Sequence, residues 1–225
     1  AVAGLSFSMR EGEVIGLLGE NGAGKTTTLK MLSGILYPSG GSVSVMGEEP
    51  WKRNREFLKK IAFVMGNKSD MNWDLPAVDT FAYQKLLYDI PEQEYRESLK
   101  RLTEMLRLDT ILLNTQVRRL SLGERMKVEL VNSFLYSPRL IFLDEPTIGL
   151  DIGSQDAIRE FIREYRQKKG ASILLTSHDM DDIENTCDRI LVLKKGKLAY
   201  ALDVEELKKK SGSFRETMKG LLEGE

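Results

Sequence analysis

Residues 19–26 read Gly-Glu-Asn-Gly-Ala-Gly-Lys-Thr and complete the phosphate-loop pattern G-x-x-x-x-G-K-[ST]. The pattern has meaning only between a strand and a helix, and that setting is present. Val14, Ile15, Leu17 and Leu18 make an apolar run of buried-strand character before it, and residues 27–32 read as a helix closed by Gly34 after it. Gly19, Asn21, Gly22, Ala23, Gly24 and Thr27 form a loop whose backbone N–H groups can turn inward around phosphate oxygens, aided by the partial positive charge of the helix N-terminus. Lys25 is placed to reach the outer phosphates, and Thr26 to offer its hydroxyl to Mg²⁺. The stretch predicts a bound nucleoside triphosphate. The plain alternative is a glycine-rich turn with a surface lysine.

With 225 residues, 41% apolar and 30% charged, the chain can build one well-cored domain with room for an inserted subdomain. Lys and Arg number 33 against 34 Asp and Glu, so the charge footprint of a nucleic-acid binder is missing and no nucleic acid partner is expected. No apolar run approaches the roughly 20 residues of a membrane span, and the first residues lack the pattern of a signal peptide. A cytosolic location is expected. One cysteine, Cys187, cannot form an internal disulfide, and with a single histidine it cannot build a metal cluster; it reads as a packed apolar side chain in a helix. The chain opens at Ala1 rather than methionine, and a segment upstream is expected.

Spacing suggests strands at 5–9, 13–18, 42–46 and 61–65, the first from Leu5, Phe7 and Met9 alternating with serines. From 67 to about 137 the pattern turns helical, with helices at 78–89 and 91–108; Tyr95, Leu99, Leu102, Met105 and Leu106 stand at helical spacing in the second. Strand and helix then alternate: strand 140–143, helix 154–169, strand 172–176, helix 180–187, strand 189–193. That rhythm belongs to parallel strands with crossover helices. Lys195 and Gly196 turn into a last strand, followed by a Lys/Glu-rich helical tail from Val204.

Three further places carry chemistry. Residues 140–145 are an apolar strand ending in Asp144 and Glu145, where α/β folds place reactive groups. Asp144 suits a metal's water shell and Glu145 the polarising of an attacking water, since phosphoryl transfer asks mainly for positioning and charge neutralisation. Two acids capping a surface strand are the plain alternative. Ser121, Leu122, Gly123 and Glu124 precede a helix with an apolar face of Met126, Leu130, Val131, Phe134 and Leu135. They read as a capping box, or as a second anion site on an exposed helix N-terminus. His178, the lone histidine, follows a strand and is either a satisfied structural residue or a hydrogen-bond partner for a γ-phosphate on the same sheet edge as Glu145.

In this order the pieces resemble the ATP-binding cassette (ABC) family over essentially the whole chain, most like the ATPase subunits of export systems. Residues 19–26 match its Walker A motif, 120–124 its signature, 141–145 its Walker B with the catalytic glutamate, 149–151 its D-loop through Asp151, and His178 its H-switch. The resemblance implies an α/β fold: a P-loop NTPase core with a small antiparallel β subdomain (residues 1–66 and 138–225) and an inserted α-helical subdomain at about 67–137. It implies hydrolysis of ATP with Mg²⁺ near Thr26, Asp144 and Asn67, and catalytic roles for Glu145 and His178. It also implies a homodimer, with Ser121, Leu122, Gly123 and Glu124 of one copy closing over the ATP of the other. A separate integral membrane transporter subunit would hold the chain on the inner face of the cell membrane, choose the cargo, and dock near Met71, Trp73, Leu75 and Phe81, residues that read equally as buried core.

The sequence departs from the family pattern in places. Asn67 stands where relatives carry glutamine, keeping the amide on a side chain one methylene shorter. Glu124 puts a charge where an amide is common, so Ser121 and the backbone are expected to make the phosphate contact. The aromatic that stacks on adenine in relatives would fall before Ala1; Phe7, alternating with Leu5 and Met9, belongs to core. Other readings are a soluble cassette ATPase of translation or DNA maintenance, a nucleotide-binding regulator that hydrolyses nothing, and a phosphate-loop kinase.

Overall fold

The computed structural model describes residues 2–209 and 214–223. Its parallel strands are apolar on both faces, as a sheet covered on both sides requires. β1 (Val14–Leu18), β3 (Leu140–Asp144) and β4 (Ser172–Thr176) are buried at every position, and β2 (Ile61–Met65) and β5 (Arg189–Lys194) over most of their length. The order is β2-β3-β4-β1-β5, all parallel, with β6 (Lys197–Asp203) as an antiparallel, largely exposed edge. The register aligns the carboxyl ends: Leu17 pairs with Thr176, Thr176 with Asp144, and Asp144 with Met65. Every loop leaving that row therefore opens onto one edge.

Alternation along the strands feeds two cores. Ile15, Leu17, Phe142 and Leu174 face α1 (Lys25–Leu32) through Leu29. Leu18, Val64, Leu143 and Leu175 face α6 (Leu122–Phe134), α7 (Ile152–Lys169) and α8 (Met180–Thr186). Phe134 of α6 meets Phe161 and Tyr165 of α7 edge-on, with ring centroids 5.0 and 4.6 Å apart. Truncating Phe134 to alanine would cost about 3–5 kcal/mol, because a close-packed interior collapses only partly around the void.

Between β2 and β3 the regular structure is helical: α3 (Ala77–Leu87), α4 (Glu92–Met105), α5 (Thr110–Leu113), a 3₁₀ turn at Val117–Arg119, and α6; a short α2 (Arg55–Leu58) precedes β2. α9 (Val204–Lys209) and α10 (Phe214–Glu223) follow β6, while 210–213 of the expected tail and Ala1 lie outside the described residues.

Several expectations change. Residues 5–9 and 42–46 form no strand; apart from an isolated bridge between Val45 and Glu48 they are irregular, and the expected small antiparallel sheet is not assembled from them. A trough of about 760 Å³ lies between the two segments. Alternating side chains make a strand only when a neighbour takes its backbone groups, and across this gap none does; the carbonyl of Ser8 is taken instead by the Arg189 side chain. Among the proposed docking residues, Met71 and Phe81 are 4% and 0% exposed and belong to the core, whereas Trp73 and Leu75 stand out at 49% and 42%. Cys187 lies one residue past α8, buried, and a Cβ on Gly16 would press on its Sγ. Burial pushes its thiol up to about 12.

Candidate active site

The aligned strand ends bring the predicted residues into one open cleft of about 370 Å³. Asn21, Gly22, Gly24, Lys25, Thr26, Thr27, Asn67, Asp144, Glu145 and His178 line it, with Glu20 and Ile148. Gly19 and Ala23 lie beneath: Ala23 is 4% exposed, and its carbonyl accepts from Gly196 N at 3.1 Å. Gly24 caps α1 in the left-handed region, φ 103°, with no side-chain cap. Glycine is the residue that adopts this backbone without penalty.

Hydroxyls organise the carboxylates. Thr26 Oγ1 donates to Asp144, 3.0 Å from Oδ1 and 2.8 Å from Oδ2, and Thr176 Oγ1 donates to Asp144 Oδ1 at 2.8 Å. Glu145 is held at φ 55°, a left-handed conformation that costs a residue with a Cβ about 1–3 kcal/mol. Its N–H donates to Thr176 O at 3.1 Å and lies 3.0 Å from Thr176 Oγ1, which helps to fix the turn. His178 Nε2 lies 2.9 Å from Glu145 Oε1. Gly66 allows the Asn67 loop to pass: its N–H donates to Asp144 O at 2.8 Å, and a Cβ there would overlap the Glu145 carbonyl.

Charge is tuned by burial. Burial raises the Glu145 carboxyl above its usual range, opposed by the charges of His178 and Lys25. Burial likewise lowers Lys25, which Glu145 and Asp144 partly restore. Lys25 Nζ donates to Gly19 O at 2.6 Å and Glu20 O at 3.3 Å, so the ammonium already sits in the loop. Among the described residues no group of three or more His, Cys, Asp or Glu could cage a metal. The set at hand, a threonine hydroxyl, one carboxylate and an asparagine amide beside an anion loop, fits Mg²⁺, which binds through one or two carboxylates, waters and substrate phosphates.

Ser121, Leu122, Gly123 and Glu124 lie outside this cleft. Ser121 Oγ accepts from Glu124 N at 3.3 Å and Glu124 Oε2 accepts from Ser121 N at 2.8 Å, a complete capping box. Asp151 caps α7 by accepting from Ser154 N at 2.9 Å and Ser154 Oγ at 2.7 Å. Gly123 packs so closely on this turn that a Cβ would overlap the Ser154 side chain.

Sequence reasoning missed the supporting residues. Thr176 does as much for Asp144 as Thr26 does, and the signal was a polar Thr-Ser end on an apolar strand. Glu129, buried in α6, accepts from Ser69 Oγ at 2.5 Å and Asp70 N at 3.2 Å, tying the Asn67 loop to the helix that starts at Ser121. Burial raises its carboxyl above the ordinary value.

A cleft built this way belongs to phosphate-loop ATPases. The chain is a member of the ABC transporter family, whose model matches residues 2–148, and it is an ATP-binding subunit and ATPase of that class. It is 33% identical over 207 residues to "ABC transporter ATP-binding protein NatA" of Bacillus subtilis, covering 92% of this chain and 83% of that protein. It is 34% identical over 196 residues to "Nod factor export ATP-binding protein I" of Burkholderia orbicola, covering 87% and 64%. A solved structure titled "Structure of ATP binding subunit of ABC transporter" superposes with a TM-score of 0.85 at 27% identity, covering 98% of this chain and 92% of that one.

Proposed function

We propose that this chain binds ATP with Mg²⁺ in the cleft, hydrolyses it between two copies of itself, and drives a separate membrane subunit, in the direction of export. One observation carries the reading: Lys25, Thr26, Asp144, Glu145 and His178, from three separate stretches of sequence, converge on one cleft. Lys25 and the loop amides hold the phosphates; Thr26, Asp144 and Asn67 hold the ion, which neutralises phosphate charge when bound. Glu145 orients the attacking water and accepts its proton, and His178, against Glu145 Oε1, keeps that carboxylate aimed and reaches the terminal phosphate.

The chain has a second anion-seeking helix end, at Ser121, that its own cleft does not use. A partner copy's nucleotide is what it would meet, in a symmetric pair. The helical insertion at about 67–137 is the part that would swing during closure, with Glu129 carrying motion of the Asn67 loop into α6. Among the described residues no helix is long and apolar enough to cross a membrane, and this reading assigns the membrane crossing to a separate subunit. Exposed Trp73 and Leu75 are the docking surface proposed for it, which would keep the chain at the inner face of the cell membrane. The export direction rests on the kind of relative it resembles.

The test is phosphate release from Mg²⁺-ATP by the purified protein, with Lys25→Ala and Glu145→Gln beside it. The reading expects turnover that both substitutions lower. Turnover that survives both would remove the cleft from the chemistry.

A further inference from the structure

The turns that carry Glu145 and His178 leave neighbouring strands, β3 and β4, and each sends a hydroxyl into the same buried carboxylate. Thr147 Oγ1, two residues past Glu145, donates to Asp182 Oδ2; Ser177 Oγ, immediately before His178, donates to the same oxygen at 2.5 Å. The other oxygen, Asp182 Oδ1, accepts from Arg159 Nε at 2.6 Å. Arg159 extends from α7, and its remaining nitrogens reach Asp179 Oδ2 at 2.8 Å and Asp156 Oδ1 at 3.0 Å. Asp182, Arg159, Thr147 and Ser177 are 3%, 7%, 4% and 2% exposed. Both carboxylate oxygens are thus satisfied, one by charge and one by two hydroxyls.

We infer that Asp182, braced by Arg159, is a positioning residue for ATP hydrolysis, fixing the Glu145 turn against the His178 turn. This rests on the reading of Glu145 and His178 given above. Asp182 lies outside the cleft lining and touches no reacting atom. Its leverage comes from the backbone. Glu145 sits in a left-handed conformation that must be held from outside; Thr176 holds its N–H on one side, and Thr147, anchored on Asp182, holds the chain on the other. Ser177 hangs the His178 backbone on the same carboxylate, so the 2.9 Å between His178 and Glu145 is set by two hydroxyls meeting on one oxygen. A shape-matched apolar filling could support the fold as well, but it could not tie two separate turns to one point.

The experiment compares Asp182→Asn, Thr147→Val and Thr147→Ser, each alone and in a His178→Ala background, in steady-state hydrolysis of Mg²⁺-ATP. Asp182→Asn should lower kcat roughly 10- to 100-fold with KM for ATP within about twofold, since a small misplacement of catalytic groups costs on that order. Thr147→Val should lose less, and Thr147→Ser, which restores the hydroxyl, should recover most of that loss. In the His178→Ala background these losses should shrink to the part that comes from the Glu145 turn alone, because there is no histidine left to place. A native kcat in both Asp182→Asn and Thr147→Val, or an equal fold-loss with and without His178, would overturn the inference. Should Asp182→Asn fail to fold, the Thr147 pair decides alone. Native turnover in His178→Ala and Glu145→Gln would instead sink the underlying reading, and the inference with it.

Discussion

Two helices of this molecule offer their N-termini to an anion, and they are finished differently. α1 begins at Gly24 with no side-chain cap and has Lys25 folded back into the loop before it. α6 begins at Ser121 inside a complete capping box, its own glutamate closing the backbone. The first end is open and waits for phosphate; the second is satisfied without ligand and keeps only the amides of Leu122 and Gly123, which no helix partner can take. α1 is also surrounded by the groups of hydrolysis, whereas α6 has none around it but the α7 cap. On the proposed reading, one end binds and the other would complete a site that begins in a second copy.

Substitutions can break that contrast or sharpen it. The largest effect belongs to the chemistry at the open end: Glu145→Gln should lower turnover roughly 10² to 10⁴-fold while ATP binding persists, the usual worth of a positioned proton acceptor. Unchanged phosphate release would remove Glu145 from the site. Next, Lys25→Ala should weaken ATP binding by roughly 10- to 100-fold, since hydrogen bonds to charged groups contribute about 1.5–3 kcal/mol. Ser121→Ala, by titration of the single chain, should leave that affinity alone. If both substitutions weaken binding equally, the two helix ends are not distinct.

Ser121→Ala has its own signature, a loss of about 1 kcal/mol of stability from the missing cap, read as a lower urea midpoint. It should come with reduced turnover in the paired state. The smallest effect is that of Glu124→Gln, which can keep the box with an amide and should change the stability read from the urea midpoint by less than about 0.5 kcal/mol. Removing a negative charge from the phosphate's approach should lower the ATP concentration for half-maximal turnover. A rise would show that Glu124 assists the contact.

The same contrast explains what the sequence made legible. Lys25, Thr26, Asp144 and Glu145 announce themselves because each must sit beside a particular neighbour along the chain, and local spacing records that. The strands that hold them were equally plain, because burial on both faces leaves continuous apolar runs. Thr176, Asp182 and Arg159 were not visible, since their importance comes from register between β3 and β4 and from the packing of α7 on α8, which single-chain periodicity does not encode. Residues 5–9 and 42–46 failed for the opposite reason: their alternation is genuine, but a strand also needs a neighbour. Met71 and Phe81 carried the pattern of an apolar patch without showing which side faced in.

The central claim is that nucleotide held at α1 of one copy is closed over by α6 of another. It is tested most directly by the mass of the Glu145→Gln protein, measured by light scattering with and without Mg²⁺-ATP. A doubling on ATP that Ser121→Ala in the same background weakens is the predicted result; a chain that binds ATP yet keeps the same mass with and without it would contradict the account.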